Sequence, residues 1–314
     1  MFRLLRRYLD FKLMIFLLLP FSATAERIGG FEIAADQASI PLREIHSGGP
    51  PKDGIPAIDH PRFLQAGEAH DLGPEERVLG LNLNGIAKAY PIAIMNWHEI
   101  VNDRFADEPV VITYCPLCGS GVAFSARVSG ETLQFGVSGL LYNSDVLLYD
   151  RKTDSLWSQL LARAVTGEMN GTRLEVLPLM TTNWSEWRAQ HPATLVLSRA
   201  TGHVRDYDRD PYAGYESSEG IYFPVKQQDP RYHPKEQVFG LEIDGRFKAY
   251  PVAELSRAEG EIRDRFAGRA FTIRYNPASQ SARFFDSQGG EIPVIQSYWF
   301  AWYAFHPDTE VFRP

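Results

Sequence analysis

Two cysteines carry the most distinctive chemistry in this chain. Cys115 and Cys118 are its only ones, two residues apart in Tyr114-Cys115-Pro116-Leu117-Cys118-Gly119-Ser120. At that spacing a tight turn points both thiolates at one ion, and glycine after the second cysteine admits a positive φ that other residues resist. The pair can also close a local disulfide or work as a redox dithiol. A disulfide across so short a loop restrains the unfolded chain very little, so stability alone explains the pair poorly. A thioredoxin-like dithiol needs its second cysteine at the start of a helix. Gly119, Ser120 and Gly121 disfavour one there.

The second Cys-x-x-Cys that would complete four thiolates is missing, so further ligands must come from elsewhere. His98 is the first choice, for a reason given below; Glu99 and Asp145 rank behind it. Two thiolates and an imidazole suit zinc, copper or iron, and softness alone does not choose among them. The pocket around such an ion is expected to draw on Glu99, Asn102, Tyr142, Asp145, Trp157 and Gln159. Residues 135–145 mix small and polar residues with apolar ones, as a pocket wall does, although a hairpin turn reads the same way. Trp157-Ser158-Gln159 either lines that pocket or packs a strand. A lone helical histidine is as often a packing residue as a ligand. His191 and His306, each before a proline, read as structural, and the 205–210 run of alternating charge reads as an exposed, self-paired loop.

These residues need elements to hold them. Residues 77–90 alternate apolar and polar around Asn84-Gly85, a hairpin signal. Residues 91–105 place Ile94, Trp97, Val101 and Phe105 at helical spacing, which predicts a helix with Pro91 in its first turn. Val110-Val111-Ile112-Thr113-Tyr114 is β-branched and predicts a strand, so the knuckle joins two strands. Further strands are expected at 121–128, 132–142, 145–150 and 194–198, with a short helix at 183–190. The class is α+β, mostly antiparallel sheet with short helices. Helices do not alternate regularly with strands, so the chain is not doubly wound. It shows no glycine-rich phosphate loop and no nucleophile-elbow serine.

The chain also repeats itself. Val78-Leu79-Gly80-Leu81, Gly85 and Lys88-Ala89-Tyr90-Pro91 recur as Val238-Phe239-Gly240-Leu241, Gly245 and Lys248-Ala249-Tyr250-Pro251. Asp103-Arg104-Phe105 returns as Asp264-Arg265-Phe266. The pattern predicts two copies of one unit, at about 76–200 and 236–314, joined by residues 201–235 and preceded by an N-terminal arm at 26–75. Copy two carries Tyr275-Asn276-Pro277-Ala278-Ser279-Gln280-Ser281 in place of the knuckle, and Ser256-Arg257-Ala258-Glu259 in place of Asn96-Trp97-His98-Glu99. His98 and both cysteines are absent together from copy two, which suggests that they act together. Residues 125–170 are extra hairpin in copy one, available to build a pocket.

Arg3, Arg6, Arg7 and Lys12, the apolar run Leu13–Phe21 and the small residues Ser22-Ala23-Thr24-Ala25 read as a secretory signal cleaved after Ala25. The run is too short for a membrane span, so a periplasmic or secreted protein with no membrane contact after cleavage is expected. Removing residues 1–25 would take the formal charge from −7 to about −10, which gives no electrostatic reason to bind nucleic acid. Residues 46–61, rich in Gly and Pro, read as an extended arm or loop and the best candidate for local disorder.

Met95-Asn96-Trp97-His98-Glu99-Ile100-Val101-Asn102-Asp103, Thr113–Ser120, Phe135–Asp145 and Ser155-Leu156-Trp157-Ser158-Gln159 together resemble a bacterial domain-of-unknown-function family, number 3179, from about residue 40 to the end. The resemblance implies that these segments belong to one unit and implies no activity or substrate. Three functions stay open: a transition-metal site used in redox or metal-dependent catalysis, a thiol–disulfide oxidoreductase working with a redox partner, and a non-enzymatic module that clasps a small molecule while the knuckle only pins a turn.

Overall fold

The computed structural model describes residues 25–258 and 260–314. The expected signal segment, up to Thr24, and Glu259 lie outside the described residues. Strand β1 (Arg77–Leu83) turns into β2 (Ile86–Pro91) through Asn84 and Gly85, at φ 55° and 78°. Both turn residues take positive φ, as the twist of a two-residue hairpin demands. There follow α1 (Ile92–His98), β3 (Ile100–Phe105), β4 (Glu108–Cys115) and β5 (Ser120–Ser125). Next comes the hairpin β6 (Phe135–Tyr142) and β7 (Asp145–Asp150), flanked by β8 (Leu156–Ser158). Strand β9 (Leu179–Asn183), α2 (Trp184–Gln190) and β10 (Leu195–Leu197) complete this half.

Residues 198–236 contain neither helix nor strand. Beyond them lie β11 (Gln237–Ile243), β12 (Arg246–Pro251), α3 (Val252–Leu255), β13 (Ile262–Phe266), β14 (Arg269–Asn276) and β15 (Ser281–Asp286). The described chain closes with β16 (Ile295–Tyr298), α4 (Trp299–Phe305) and β17 (Glu310–Val311). The class is α+β: mostly antiparallel sheet with few, short helices. Among the described residues no helix is long and apolar enough to cross a membrane.

One predicted element differs. The helix read over 91–105 stops at His98; Glu99 takes φ 57°, and Ile100–Phe105 is a strand paired with β4. Ile100 and Val101 are β-branched and fully buried, so the ladder with Thr113 and Ile112 outweighs the 3.6-residue spacing that suggested a longer helix. The 46–61 arm is packed rather than loose. The Ile58 amide donates to Ile100 O and Ile58 O accepts from the Asn102 amide, while the Asp53 amide donates to Val137 O. An extended proline-rich strip keeps its remaining N–H groups free to pair with strand edges.

Two regions are built alike. Val78 pairs with Pro91 and Gly80 with Ala89; Val238 pairs with Pro251 and Gly240 with Ala249. Lys88 Nζ meets Asp103 at 2.8 Å with Tyr90 OH donating to the same carboxylate, and Lys248 meets Asp264 at 2.6 Å beside Tyr250. Gly80 lies flat against Trp187, and Gly240 against Trp302, so closely that a Cβ would collide with either indole. In sheet order β9-β1-β2-β10 forms one ribbon. The second ribbon, β17-β12-β11-β16, continues through a single Gln296–Gly121 pairing into β5-β4-β3. The second hairpin ribbon thus completes the sheet that carries the knuckle.

Candidate metal centre

The knuckle sits between β4 and β5. Cys115 pairs with Ser120 across the turn, the Cys118 amide donates to Cys115 O at 3.2 Å, and Gly119 takes φ 57°. A side chain at Gly119 would run into the Tyr298 ring, 2.7 Å away, while the Tyr298 amide donates to Cys118 O at 2.7 Å. Both sulfurs are fully buried among Phe124, Phe135, Trp157 and Phe300. Gln159 locks the turn's exit: it accepts from Ser120 Oγ at 2.6 Å and donates to Thr113 Oγ1 at 2.8 Å.

The third group comes from the extra hairpin. Asn143 and Ser144 both take positive φ, 51° and 67°, and this tight turn between β6 and β7 delivers Asp145 to the thiols. Among the described residues, Cys115, Cys118 and Asp145 form a buried group whose ligand atoms all lie within 4.8 Å of one another. Ser144 O accepts from Cys118 Sγ at 3.3 Å. Asp145 Oδ2 accepts from Ser158 Oγ at 3.2 Å and from the Leu160 amide at 3.1 Å, whereas Oδ1 is buried with no partner. A buried carboxylate oxygen left unpaired is costly. Burial pushes the Asp145 carboxyl up to about 7, against those hydrogen bonds. Burial, then the neighbouring Cys115, raises the Cys118 thiol well above its ordinary value. Burial thus favours the protonated forms of Asp145 and Cys118.

Glu99 stands beside this group. Burial, then repulsion from Asp145, raises its carboxyl to about 8, and it lines a cavity of about 160 Å³ together with Pro116, Leu117 and Val146. A larger cavity of about 880 Å³ lies against β11, Phe247 and Trp302, and none of Cys115, Cys118 and Asp145 lines it.

His98 stands outside the group. Its Nδ1 faces Pro56 O at 2.8 Å and its Nε2 faces Tyr207 OH at 2.7 Å. Burial pushes its pKa down to about 4, so the ring is neutral, donates from Nδ1 and accepts at Nε2. It anchors residues 201–210, which are not a self-paired loop: Trp97 Nε1 donates to Arg209 O and Asn96 to Asp210.

The other expected pocket residues are placed as follows. Asn102 bridges Asp59 and the Phe135 backbone. Trp157 donates to Asp150 at 2.9 Å and packs against Phe135 within the core around the thiols. Tyr142 packs edge-on against Phe305 in a separate cluster. Lys235 carried no motif to mark it. It is 4% exposed, donates to Gly220 O at 2.6 Å and lies over the Tyr215 ring; burial lowers its pKa, against the attraction of Cys118.

No curated protein and no solved structure matches this chain. The model of one family, described as "Protein of unknown function (DUF3179)", matches residues 52–309. That span holds the knuckle, the hairpin that delivers Asp145 and both hairpin ribbons, and on it the chain belongs to that family.

Proposed function

We propose that Cys115, Cys118 and Asp145 bind one divalent transition-metal ion, zinc or iron, and that this ion is the protein's functional centre. The observation that carries the reading is the buried group itself: both sulfurs and a carboxylate oxygen of Asp145 lie within 4.8 Å of one another, and Asp145 Oδ1 has no hydrogen-bond partner. Two thiolates and a carboxylate bring three negative charges. A divalent ion leaves one, and the buried ammonium of Lys235 offsets it. The hard carboxylate beside two soft sulfurs favours a borderline ion over copper(I). Three protein ligands leave a fourth position for water or substrate. The cavity lined by Glu99 then provides a carboxyl able to exchange a proton near that position. A catalytic dithiol would need an accessible thiol of lowered pKa; burial works in the opposite direction here.

We also infer that residues 76–200 and 236–314 descend from one duplicated unit. The matching hairpin registers, Lys–Asp–Tyr clusters and Gly–Trp contacts support this. The basic, apolar and small-residue order of residues 1–25 supports an exported protein, and an N-terminus at Glu26 in protein recovered from outside the cytoplasm tests it.

The metal reading is tested by purifying the protein without chelators after growth with zinc and iron supplied, then measuring metal by mass spectrometry beside free thiols. About one ion per chain is expected, lost in Cys118→Ser and Asp145→Asn and kept in His98→Ala. A metal-free protein with a reducible Cys115–Cys118 disulfide would overturn the reading in favour of the dithiol.

A further inference from the structure

A second cavity, of about 330 Å³, lies on the outer side of the knuckle, where the two similar regions meet. Matching positions line it: Arg77 and Gln237 open β1 and β11, Thr181 and Gln296 lie on β9 and β16, and Gly119 and Gln280 sit in the two turns. Residues 210–216 of the connecting segment cover it and add Asp210, Tyr212, Tyr215 and Glu216. Sites at the junction of two similar units are a recurrent place for ligands.

Its polar groups are arranged in two sets. Asn96 gives its Nδ2 to Asp210 at 3.1 Å, and Gln296 gives its Nε2 to Gln237 at 3.1 Å. Those bonds fix both amides and leave Asn96 Oδ1 and Gln296 Oε1 as buried acceptors without a donor. Orphaned groups of this kind cost stability unless a ligand or water supplies what they lack. The other set consists of donors. Arg77 spends Nη1 on Ser279 O at 3.0 Å, and Tyr114, Glu216 and Tyr298 line the cavity with it. A guanidinium flanked by hydroxyls suits a carboxylate, while Asp210 and Glu216 nearby disfavour a dianion such as phosphate.

We propose that this cavity binds a small carboxylate-bearing molecule that also carries N–H or O–H donors, with its carboxylate at Arg77 and its donors at Asn96 and Gln296. A short peptide and a sugar acid share that chemistry. The site does not include the thiols or Asp145, so it stands or falls independently of the metal.

Titration calorimetry of the purified full protein with alanyl-alanine and with glucuronate tests it, with acetate and glucose as single-group controls and the metal content measured on the same samples. At least one of the two probes is expected to bind below about 1 mM, and each control at least about tenfold more weakly. Binding by one probe alone identifies the source as peptide or sugar acid. Arg77→Gln should weaken binding at least about tenfold, since it removes a charge-assisted bond. Tyr298→Phe keeps the ring against Gly119 and should weaken binding about threefold to tenfold. If neither probe binds at millimolar concentration, if acetate binds as well as either, or if Tyr298→Phe and a folded Arg77→Gln both bind unchanged, the proposal is wrong. Binding that persists in metal-free protein separates this site from the metal reading.

Discussion

After β4 the chain turns through Cys115-Pro116-Leu117-Cys118-Gly119, with Gly119 at φ 57°; after β14 it turns through Asn276-Pro277-Ala278-Ser279-Gln280, with Gln280 at φ 52°. Cys115 pairs with Ser120, and Asn276 with Ser281. The backbone path is shared and the side chains are not. Ser279 and Ser281 donate to Glu186 on α2, whereas the cysteines look toward Asp145 on a hairpin that the second region lacks. A turn of this shape therefore forms without sulfur. The thiols of the first turn are explained by what they face, not by the turn they sit in.

Five comparisons break or sharpen that contrast. The largest effect is expected for Cys118→Ser, which copies the second turn into the first: bound metal should fall from about one per chain to none, with the metal-free melting temperature almost unchanged. Collapse of the metal-free variant would instead make the sulfur a structural part of its turn. Next, Asp145→Asn keeps the acceptors for Ser158 and Leu160 but loses the anionic oxygen. It should weaken metal affinity more than about 100-fold in competition with a chelator, beyond what loss of an outer-layer partner costs.

The third contrast is with pH. Asp145 and Glu99 have folded pKa values of about 7 and about 8, raised from 3.8 and 4.5. The metal-free fold binds these protons more tightly than the unfolded chain. Their contribution is fully present below about pH 4 and is lost as pH rises through 7 to 8. Metal requires the deprotonated groups, so its affinity rises over the same range. Melting curves of the two forms should diverge with opposite slopes between pH 5 and about 8; parallel curves would remove Asp145 from the ligand set.

The smallest expected effects lie in the shared framework. Side-chain exposures are 9% for Lys88 and 6% for Asp103, against 11% for Lys248 and 16% for Asp264. Lys88→Met should cost about 3 kcal/mol in denaturant unfolding, as breaking a buried pair does, and Lys248→Met less. Gln280→Gly should add up to about 1 kcal/mol by relieving a left-handed residue. Gly119→Gln should destabilise through Tyr298, and equal tolerance at the two sites would end the equivalence of the turns.

Much of this was legible in the residues. Asn84-Gly85 marked its hairpin, the knuckle's two flanking strands formed, and the helix before His191 did too, capped by Asn183. Local chemistry decides those features. Asp145 was visible only as one acid among several, because a carboxylate reaches the thiols through a hairpin register that one sequence does not display. His98 ranked above it on co-absence, and that pattern cannot tell a ligand from a bolt. The strand at 100–105 was hidden because Val101 and Phe105 satisfy helical and strand spacing alike, and only pairing with β4 separates them. Lys235 left no signal at all: a lone lysine in a loop becomes a buried cation only after Tyr215 and Phe300 close around it.

The join between β16 and β5 bears on the order in which the molecule can be assembled. The strand whose Tyr298 seals the knuckle from behind is synthesised long after the cysteines and after the hairpin that brings Asp145. Until it arrives, β5 is covered at Ala123 and Phe124 by Leu177 and Val176 but is unpaired at Gly121, and Tyr298 is not yet in place behind Gly119. Such late, distant pairings form slowly. On the proposed metal reading, ion capture would precede closure, and the last strand would then slow exchange once folding is complete.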